Sequence, residues 1–231
     1  MNIEKIYDCI CSQSEKPSDI KKLLRDFLIV SNFIYSKIGS LAVDYGNGIH
    51  PKHRLTKYHD FFVNNIDENN TVLDLGSGRG DVSFDVACKT KESVIGMDIS
   101  IFNCRHAMAT YKLSNLSFIN GNIYTDIPLK HFDVVILSNV LEHLDNRVDI
   151  LSNIKTKTTP QKILLRVPYF ERDWVVAMKK EMGVDYFLDK THKIEYTEEE
   201  FCEEMKRANI EITKMLFKWG EIWAVCKPYP Q

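Results

Sequence analysis

The chain has 231 residues and a formal net charge of −2, with 30 Lys and Arg against 32 Asp and Glu. This length allows one large α/β domain and excludes two full domains of ordinary size. Hydrophobic residues make up 44% and charged residues 27%, which is the composition of a globular protein with its own core. The balanced charge excludes a global basic field, so we predict no nucleic-acid partner.

Six cysteines are scattered along the chain and include one C-x-C pair but no C-x-x-C pair. This spacing indicates neither a zinc site nor a disulfide framework, and we predict no metal site. The N-terminus carries acidic residues early and lacks the charged-then-apolar pattern of a signal sequence. No apolar run approaches the ~18 residues of a membrane span, so we predict a cytoplasmic protein without membrane insertion.

Residues 1–69 are predicted to form an N-terminal helical cap. Ser18 is a candidate N-cap for a helix in which apolar residues recur at three- and four-residue steps. We expect this apolar stripe to pack on another part of the chain. It consists of Ile20, Leu23, Leu24, Phe27, Ile34 and Ile38. Glycines then indicate irregular chain from Gly39 onward, and residues 52–66 predict a second helical stretch.

Short runs rich in Val, Ile and Leu alternate with helical segments after this cap. Five of the runs are apolar on both faces, which is typical of central parallel strands covered by helices. They are residues 71–76, 93–98, 116–121, 132–138 and 162–168. The helices are predicted to begin near Gly80, Ser100, Leu141 and Thr197. Residues 211–217 and 221–227 predict a closing hairpin. We therefore predict an α/β fold with a Rossmann-like, doubly wound, seven-stranded sheet whose last strand is antiparallel.

Three glycines follow the first predicted strand, at positions 76, 78 and 80 of the segment V-L-D-L-G-S-G-R-G. Glycine lets the backbone turn sharply and approach a ligand that any Cβ would push away. Asp98 ends the next strand, 22 residues after Gly76, where a carboxylate can accept both hydroxyls of a ribose. Together these features predict a nucleoside cofactor.

The spacing of the glycines decides between nucleoside cofactors. Dinucleotide folds place a pyrophosphate on a helix N-terminus with G-x-G-x-x-G, whereas this chain has D-x-G-x-G-x-G. Asp74 suits a ligand that carries an ammonium and a sulfonium group, and no Walker lysine follows. At these residues the chain resembles the class I S-adenosylmethionine-dependent methyltransferases, and the resemblance covers roughly residues 70–230.

The resemblance implies a role for each predicted cofactor residue. In that family the glycine loop holds the methionine part of the cofactor, the acid after the second strand holds the ribose, and a polar residue after the third strand lies beside the adenine. That residue is Asn122 here, where many members have Asp. The predicted binders of S-adenosylmethionine, and of its product S-adenosylhomocysteine, are Asp74, Gly76, Ser77, Gly78, Gly80, Asp98, Ile99, Asn122, Ile123, Ser138 and Asn139.

Two segments outside the core are predicted to choose the acceptor. The connection between the fifth strand and the helix at Thr197 is far longer than the usual two to six residues, so we interpret 168–196 as a lid. Ligands of open α/β sheets bind at the carboxyl ends of the strands, where this insertion begins. The second segment, 50–59, contains three histidines among cationic residues. The predicted acceptor-binding residues are His50, Lys52, Arg54, Tyr169, Arg172 and Glu195.

Sequence pieces in these segments resemble methyltransferases associated with surface-polysaccharide or other small-molecule biosynthesis. The pieces are H-P-K-H-R, R-V-P-x-x-x-R-D-W and D-x-T-H-x-x-x-Y-T. A cationic cluster suits an acceptor with phosphate or carboxylate, such as a phosphorylated or nucleotide-linked sugar. We predict methyl transfer to a hydroxyl of a small anionic acceptor. N-methylation of a small molecule or protein, and an inactive cofactor-binding subunit, are the alternatives.

A sugar hydroxyl is a poor nucleophile at neutral pH, so the reaction needs a base with a pKa near about 7, which histidine supplies. His192 is the first candidate, supported by Asp189 or Glu195. His143, after the fourth strand, is the second candidate, and His53 is the third. The whole chain is interpreted as one methyltransferase domain with its core at 70–231.

Overall fold

The chain divides into two compact units in a computed structural model. The structure describes residues 19–229 together with Lys5, Asp8 and residues 10–12. We define each unit by its residues: the helical unit is Met1–Arg54 with Asp173–Tyr186, and the sheet unit is Leu55–Arg172 with Phe187–Gln231. The predicted lid is therefore shared between the two units, and the single-domain organisation stays a prediction.

The long helix of the helical unit, α1 (Ile20–Tyr45), begins at Asp19, whose side chain accepts a hydrogen bond from an amide of the first turn. The predicted cap, Ser18, lies outside the described residues. The helix continues through Gly39 and ends at Gly46, so the predicted break at Gly39 is wrong. One glycine inside a helix costs only about 1 kcal/mol, which the helical pattern on both sides of it overrides.

The apolar stripe of α1 is covered only in its middle. Leu23, Leu24 and Phe27 are half-buried, whereas Ile20, Ile34 and Ile38 are 72%, 49% and 58% exposed. The predicted packing of the whole stripe is therefore wrong at both ends. By length and composition α1 is also apolar enough to cross a membrane, a test that core helices of soluble proteins and signal sequences pass as well. The absence of membrane insertion stays a prediction.

The second predicted helical stretch, 52–66, is two short helices. They are α2 (Pro51–Thr56) and α3 (Tyr58–Val63). Lys57 separates them with φ +48°, in the left-handed region that cannot continue a right-handed helix. The prediction of one continuous helix is therefore wrong. Only α3 contributes buried side chains, which are Tyr58, Phe61 and Phe62.

Seven strands in the described part of the chain form one sheet, in the order β3-β2-β1-β4-β5-β7-β6. They are β1 (Val72–Leu75), β2 (Val94–Asp98), β3 (Leu116–Asn120), β4 (Val134–Ser138), β5 (Lys162–Pro168), β6 (Ile210–Lys218) and β7 (Glu221–Pro228). Strands β1 to β5 run parallel, and β7 is antiparallel to both β5 and β6. The central strands β1, β4 and β5 bury almost every residue, as strands covered on both faces do. The predicted doubly wound sheet is confirmed.

The remaining helices are α4 (Asp81–Lys89), α5 (Ile101–Thr110), α6 (Arg147–Thr158), α7 (Trp174–Glu181) and α8 (Glu198–Arg207). Helices α5 and α8 begin after Ser100 and Thr197, as predicted, and the structure shows that both side chains cap their helices. The helix predicted to begin near Leu141 begins instead at Arg147. Residues 141–143 form a single 3-10 turn, because Leu141 is buried under the loop and does not start a surface helix.

Two apolar clusters cover the two faces of the sheet. One contains side chains of α6 and α8, and the other contains side chains of α3 and α4. Helices on both faces leave the carboxyl ends of the parallel strands as the open edge. The loops after β1, β2, β3 and β4 meet at this edge, and they carry the candidate site.

Candidate active site

The loop after β1 is hydrogen-bonded to β2, and its backbone changes direction at three glycines. The amides of Gly76 and Ser77 both donate to the Met97 carbonyl, at 2.7 and 3.0 Å. Gly76, Gly78 and Gly80 have φ values of +73°, +56° and +89°, which L side chains rarely adopt. The Ser77 hydroxyl is buried and has no hydrogen-bond partner among the described residues. An unpaired buried hydroxyl is costly, so Ser77 is available for a ligand.

The three glycines differ in what a side chain at each position would contact. A Cβ on Gly76 would lie 2.4 Å from a methyl group of Val140, and one on Gly80 would lie 2.6 Å from the ring of Phe118. A Cβ on Gly78 would meet no protein atom within 4 Å. Protein packing therefore requires glycine at 76 and 80, whereas the open space beside Gly78 leaves room for a ligand.

Asp98 joins the glycine loop to the start of α5. Its Oδ2 accepts the Gly78 amide at 2.9 Å, and its Oδ1 accepts the Ser100 amide at 2.8 Å and the Asn103 side chain at 3.1 Å. A carboxylate has about four acceptor positions, so these three donors leave capacity for a ribose hydroxyl. The next residue, Ile99, is 72% exposed. Its predicted apolar contact with the cofactor stays a prediction.

Asp74 is buried beneath the glycine loop in β1. Burial raises the pKa of Asp74 from its ordinary 3.8 to about 7, although a hydrogen bond from Ser83 at 2.6 Å opposes the rise. A cation beside this carboxyl group would favour its ionised form. The ammonium of the predicted cofactor is such a cation, so the environment is consistent with the predicted contact.

The segment after β3 is a tight turn built by its own side chains. Asn122 Oδ1 accepts the Tyr124 amide at 3.0 Å, and the Asn122 amide donates to Asp126 at 2.8 Å. The Asn122 oxygen that is predicted to accept the adenine amino group therefore already accepts a hydrogen bond within the turn. Ile123 packs partly against the apolar cluster of α6 and α8.

Arg166, which is not among the predicted site residues, makes hydrogen bonds to the end of β4. Arg166 donates from Nη1 to the Ser138 hydroxyl at 3.3 Å, and its carbonyl accepts the Asn139 amide at 2.7 Å. The guanidinium makes two further hydrogen bonds to Glu221, at 2.7 and 2.8 Å, and lies 3.6 Å from the ring centre of Tyr58. An arginine inside the apolar run K-I-L-L-R-V-P was the sequence signal for this buried pair.

Three side chains that can bind a proton or a metal meet just after β4. One oxygen or nitrogen from each of Glu142, His143 and His192 lies within 4.8 Å of the others. The two imidazole rings are 4.8 Å apart between centres and nearly perpendicular. The Lys193 amide donates to the Glu142 carbonyl at 2.6 Å, which fastens the segment of His192 to the loop after β4. We call these three residues the Glu-His-His cluster.

Glu142 has an unusual environment for a carboxyl group. It is fully buried, and neither side-chain oxygen has a hydrogen-bond partner among the described residues. Burial raises its pKa to about 7, opposed in part by the nearby Glu142 backbone and Asn139 side chain and by the charge of His192. Burial, together with the charge of His192, lowers the pKa of His143. Glu142 is not among the predicted site residues, because nothing in the local pattern L-E-H-L indicates a buried carboxyl group.

His143 is oriented by a hydrogen-bonded chain. Its Nδ1 lies 2.9 Å from the Thr191 hydroxyl, and that hydroxyl donates to Asp189 at 2.6 Å. Because the Thr191 proton goes to Asp189, the Thr191 oxygen accepts the Nδ1 proton of His143. Asp189 was predicted to support His192, but the structure shows it hydrogen-bonded to Thr191, behind His143.

His192 is oriented by Glu195, as predicted. Its Nδ1 lies 3.3 Å from Glu195, whose side chain is fully buried. Although burial opposes it, hydrogen bonds from His192 and Leu188 and the charge of Arg172 hold the pKa of Glu195 below its usual value. Arg172 pairs with Glu195 and donates to the Tyr169 carbonyl at 2.9 Å. Glu195 and Arg172 thus hold the insertion together, and this differs from their predicted direct contact with an acceptor.

The Tyr169 hydroxyl donates to Glu171 at 2.9 Å, and its predicted role in acceptor binding stays a prediction. The other predicted acceptor residues belong to the helical unit. Lys52, His53 and Arg54 lie on α2, and the Lys52 amide donates to the His50 ring at 3.1 Å. Their predicted roles in acceptor binding, and that of His53 as a base, stay predictions. His59, from the same histidine-rich segment, belongs to the sheet unit and lies 2.6 Å from Asp85.

The sequence of residues 66–218 matches a family described as a methyltransferase domain, and the match covers more than half of the chain. The chain therefore belongs to the methyltransferase-domain family. Within it, the fold and glycine loop are those of a class I S-adenosylmethionine-dependent methyltransferase, and S-adenosylmethionine is the cofactor. Among curated proteins none matches the chain.

Solved structures of methyltransferases have the same fold. A chain from the complex between the Haloferax volcanii Trm112 methyltransferase activator and a methyltransferase superposes with a TM-score of 0.62 and 16% identity, over 78% of this chain and 92% of that one. The methyltransferase domain of the bacterial CtHen1-C gives 0.56 and 18%, over 76% and 96%. The mitomycin 7-O-methyltransferase MmcR gives 0.60 and 17%, over 75% of this chain and 53% of that one. These identities show the fold alone.

The residues of this chain fit the cofactor. The space beside Gly78 admits a ligand against the backbone, the buried Ser77 hydroxyl lacks a partner in the part of the chain that the structure describes, and Asp98 retains acceptor capacity. These are the positions that the family resemblance assigns to the methionine and ribose parts. The cofactor supplies an electrophilic methyl group on a sulfonium.

Proposed function

We propose that this methyltransferase transfers a methyl group to a hydroxyl of a small anionic acceptor, such as a sugar, a sugar phosphate or a nucleotide-linked sugar. The observation that carries the proposal is the Glu-His-His cluster after β4, at the open edge of the sheet. A carboxyl group and two imidazoles at one place are groups that can take up a hydroxyl proton. A cytoplasmic location and a place in carbohydrate biosynthesis belong to the same proposal.

His192 is the best-positioned base within the cluster. A carboxylate can only accept, so Glu195 fixes the proton of His192 on Nδ1 and leaves Nε2 as an acceptor. The His192 side chain is only 6% exposed, which limits competition from water. Glu195 acts as a positioning residue, because it reaches the acceptor only through His192.

The anionic character of the acceptor rests on the sequence alone, in which residues 50–59 are rich in Lys, Arg and His. Arg172 does not add to it, because Glu195 already neutralises its charge. One structural neighbour is named a mitomycin 7-O-methyltransferase, which favours oxygen as the methylated atom. Another neighbour is the small RNA methyltransferase HEN1, of which the chain covers 25%. This likeness suggests RNA as an alternative acceptor, but the net charge of −2 disfavours RNA binding.

The proposal is tested by supplying S-adenosylmethionine with sugar phosphates and nucleotide-linked sugars, one at a time. We expect S-adenosylhomocysteine to form only with an acceptor of this class, and NMR of the product to place the new methyl group on oxygen. His192→Ala should lower turnover by about 10²- to 10⁴-fold while cofactor affinity stays unchanged. His106→Ala, an exposed histidine on α5, is the matched control. Methylation of nitrogen, or of RNA alone, would refute the proposal.

A further inference from the structure

The Glu-His-His cluster has the composition of a metal site. Glu142 and His143 are adjacent in the turn after β4, and His192 comes from the insertion 49 positions later. One carboxylate and two imidazoles are a recurring three-ligand set for divalent metals in enzymes, with positions left open for substrate or water. The prediction of no metal site rests on the cysteine spacing, and these three ligands share no local spacing that would have indicated one.

The state of Glu142 is the second observation that points to a ligand. A buried carboxyl group is normally hydrogen-bonded, paired with a cation or bound to a metal. Both oxygens of Glu142 are buried, and none of the described residues reaches them at normal hydrogen-bond geometry, although the Asn139 side chain and the Glu142 backbone lie close by. Because Arg166 is held by Glu221, the nearby guanidinium does not pair with Glu142. A metal ion would supply the partner that this carboxyl group lacks.

Both histidines are held in the form that binds metal. The Thr191 hydroxyl donates to Asp189 and so accepts the Nδ1 proton of His143. The carboxylate of Glu195 holds the Nδ1 proton of His192 in the same way. Each ring therefore presents the lone pair of Nε2. Partners behind the ligands that fix the tautomer in this manner are a regular feature of histidine metal sites.

We propose that Glu142, His143 and His192 bind one divalent metal ion of the Zn²⁺, Mn²⁺ or Co²⁺ type. Imidazole ligands favour these ions over Mg²⁺ and Ca²⁺, which prefer oxygen alone. Ligand atoms about 2.1 Å from one ion are at most about 4.2 Å apart, so side-chain rotations must close the present 4.8 Å by at least about 0.6 Å.

The use of this metal in methyl transfer rests on the proposed function, whereas metal binding itself does not. A divalent ion held by these three residues would favour loss of the acceptor hydroxyl proton to solvent, and in that state His192 would act as a ligand, whereas in the metal-free protein it acts as the base. The acceptor oxygen then bonds to the methyl carbon, and the carbon–sulfur bond breaks with its electron pair on sulfur. The metal thus replaces His192 as the agent that activates the hydroxyl.

The site is tested by calorimetric titration of the chelator-treated full chain with Mn²⁺ and with Zn²⁺, supported by paramagnetic resonance of bound Mn²⁺. We expect one ion per chain. Glu142→Gln and His192→Ala should each weaken binding at least tenfold, and the control His106→Ala should leave it unchanged. S-adenosylhomocysteine binding by every variant shows that the fold is retained.

The outcomes separate the metal site from the proposed function. No saturable binding of either ion, or equal binding by wild type and both variants, would overturn the metal site while leaving hydroxyl methylation by His192 intact. Metal binding with turnover that a chelator abolishes supports the site and its use. Metal binding with turnover that a chelator does not change supports the site and overturns its use in methyl transfer.

Discussion

At the residue scale, Asp74 carries the clearest electrostatic consequence of the fold. Its carboxyl group is buried in β1, and burial raises its pKa from 3.8 to about 7. Between pH 4 and pH 7 the folded, ligand-free protein therefore binds a proton that the unfolded chain does not. The stability contributed by this group is greatest at low pH and falls as the pH rises towards 7.

Replacement of Asp74 by Asn removes this dependence. The ligand-free wild type should lose on the order of 3 kcal/mol of unfolding free energy relative to Asp74→Asn between pH 5 and pH 8. Urea unfolding at both pH values measures this difference. The cofactor ammonium needs the ionised carboxylate, so wild-type affinity for S-adenosylhomocysteine should rise with pH through 7, and that of Asp74→Asn should not. A constant stability difference across this range would show that Asp74 has an ordinary pKa.

At the scale of elements, the glycine loop joins β1 to α4, and its glycines are needed for two different reasons. Gly80 is enclosed by Phe118 and Ala107, whereas Gly78 faces open space. Both have positive φ, so alanine at either position costs about 1 to 2 kcal/mol of backbone strain. Only at Gly80 does a clash with protein atoms add to this cost.

The two alanine variants should therefore have different defects, one mainly in stability and the other mainly in cofactor affinity. Gly80→Ala should lower the melting temperature clearly more than Gly78→Ala, because its Cβ meets the Phe118 ring. Gly78→Ala should lose more affinity for S-adenosylhomocysteine than its small loss of stability explains, because its Cβ enters the ligand space. Thermal unfolding and calorimetry on both variants measure the two effects. Equal affinity of Gly78→Ala and wild type would mean that the cofactor does not approach this backbone.

Elements with a strong local pattern were predictable from the sequence. The strands appear as apolar runs because they are buried on both faces, and the glycine spacing indicated the loop. The turn at 141–143 was mistaken for a helix start, because a buried turn and a helix show the same apolar residues. The Glu-His-His cluster was not predictable as a unit, since a tertiary hydrogen bond from Lys193 brings its halves together.

At the scale of the whole molecule, one buried ion pair connects β5 to β7 next to the candidate site. Arg166 makes two hydrogen bonds to Glu221, and both side chains are almost fully buried. Removal of one partner from such a pair leaves a buried charge unpaired, at a cost of about 3 to 5 kcal/mol. The antiparallel end of the sheet thus depends on a charge pair that also supports Ser138.

Arg166→Ala should therefore lower the unfolding free energy by about 3 to 5 kcal/mol, as measured by urea denaturation. The double variant Arg166→Met with Glu221→Gln leaves no buried charge and should recover part of this loss. A loss below about 1 kcal/mol for Arg166→Ala would mean that the pair is hydrated or dispensable.

The division of the chain into two units could also not be predicted from local sequence patterns. The sequence indicated an accessory helix and a long insertion, but not that Asp173–Tyr186 of the insertion belongs with α1. The backbone carbonyls of Gly183 and Asp185 accept side-chain hydrogen bonds from Arg25 and Asn32, and such tertiary contacts leave no periodic trace in the sequence. The predicted lid is therefore two pieces with different surroundings.

The most direct test of the account is a crystal structure with S-adenosylhomocysteine and a divalent metal bound. We predict the ribose hydroxyls at Asp98, the methionine part against Gly78, and the sulfur facing the Glu-His-His cluster. The account would be contradicted if the ligand bound away from the glycine loop. It would fail equally if the sulfur faced away from Glu142, His143 and His192.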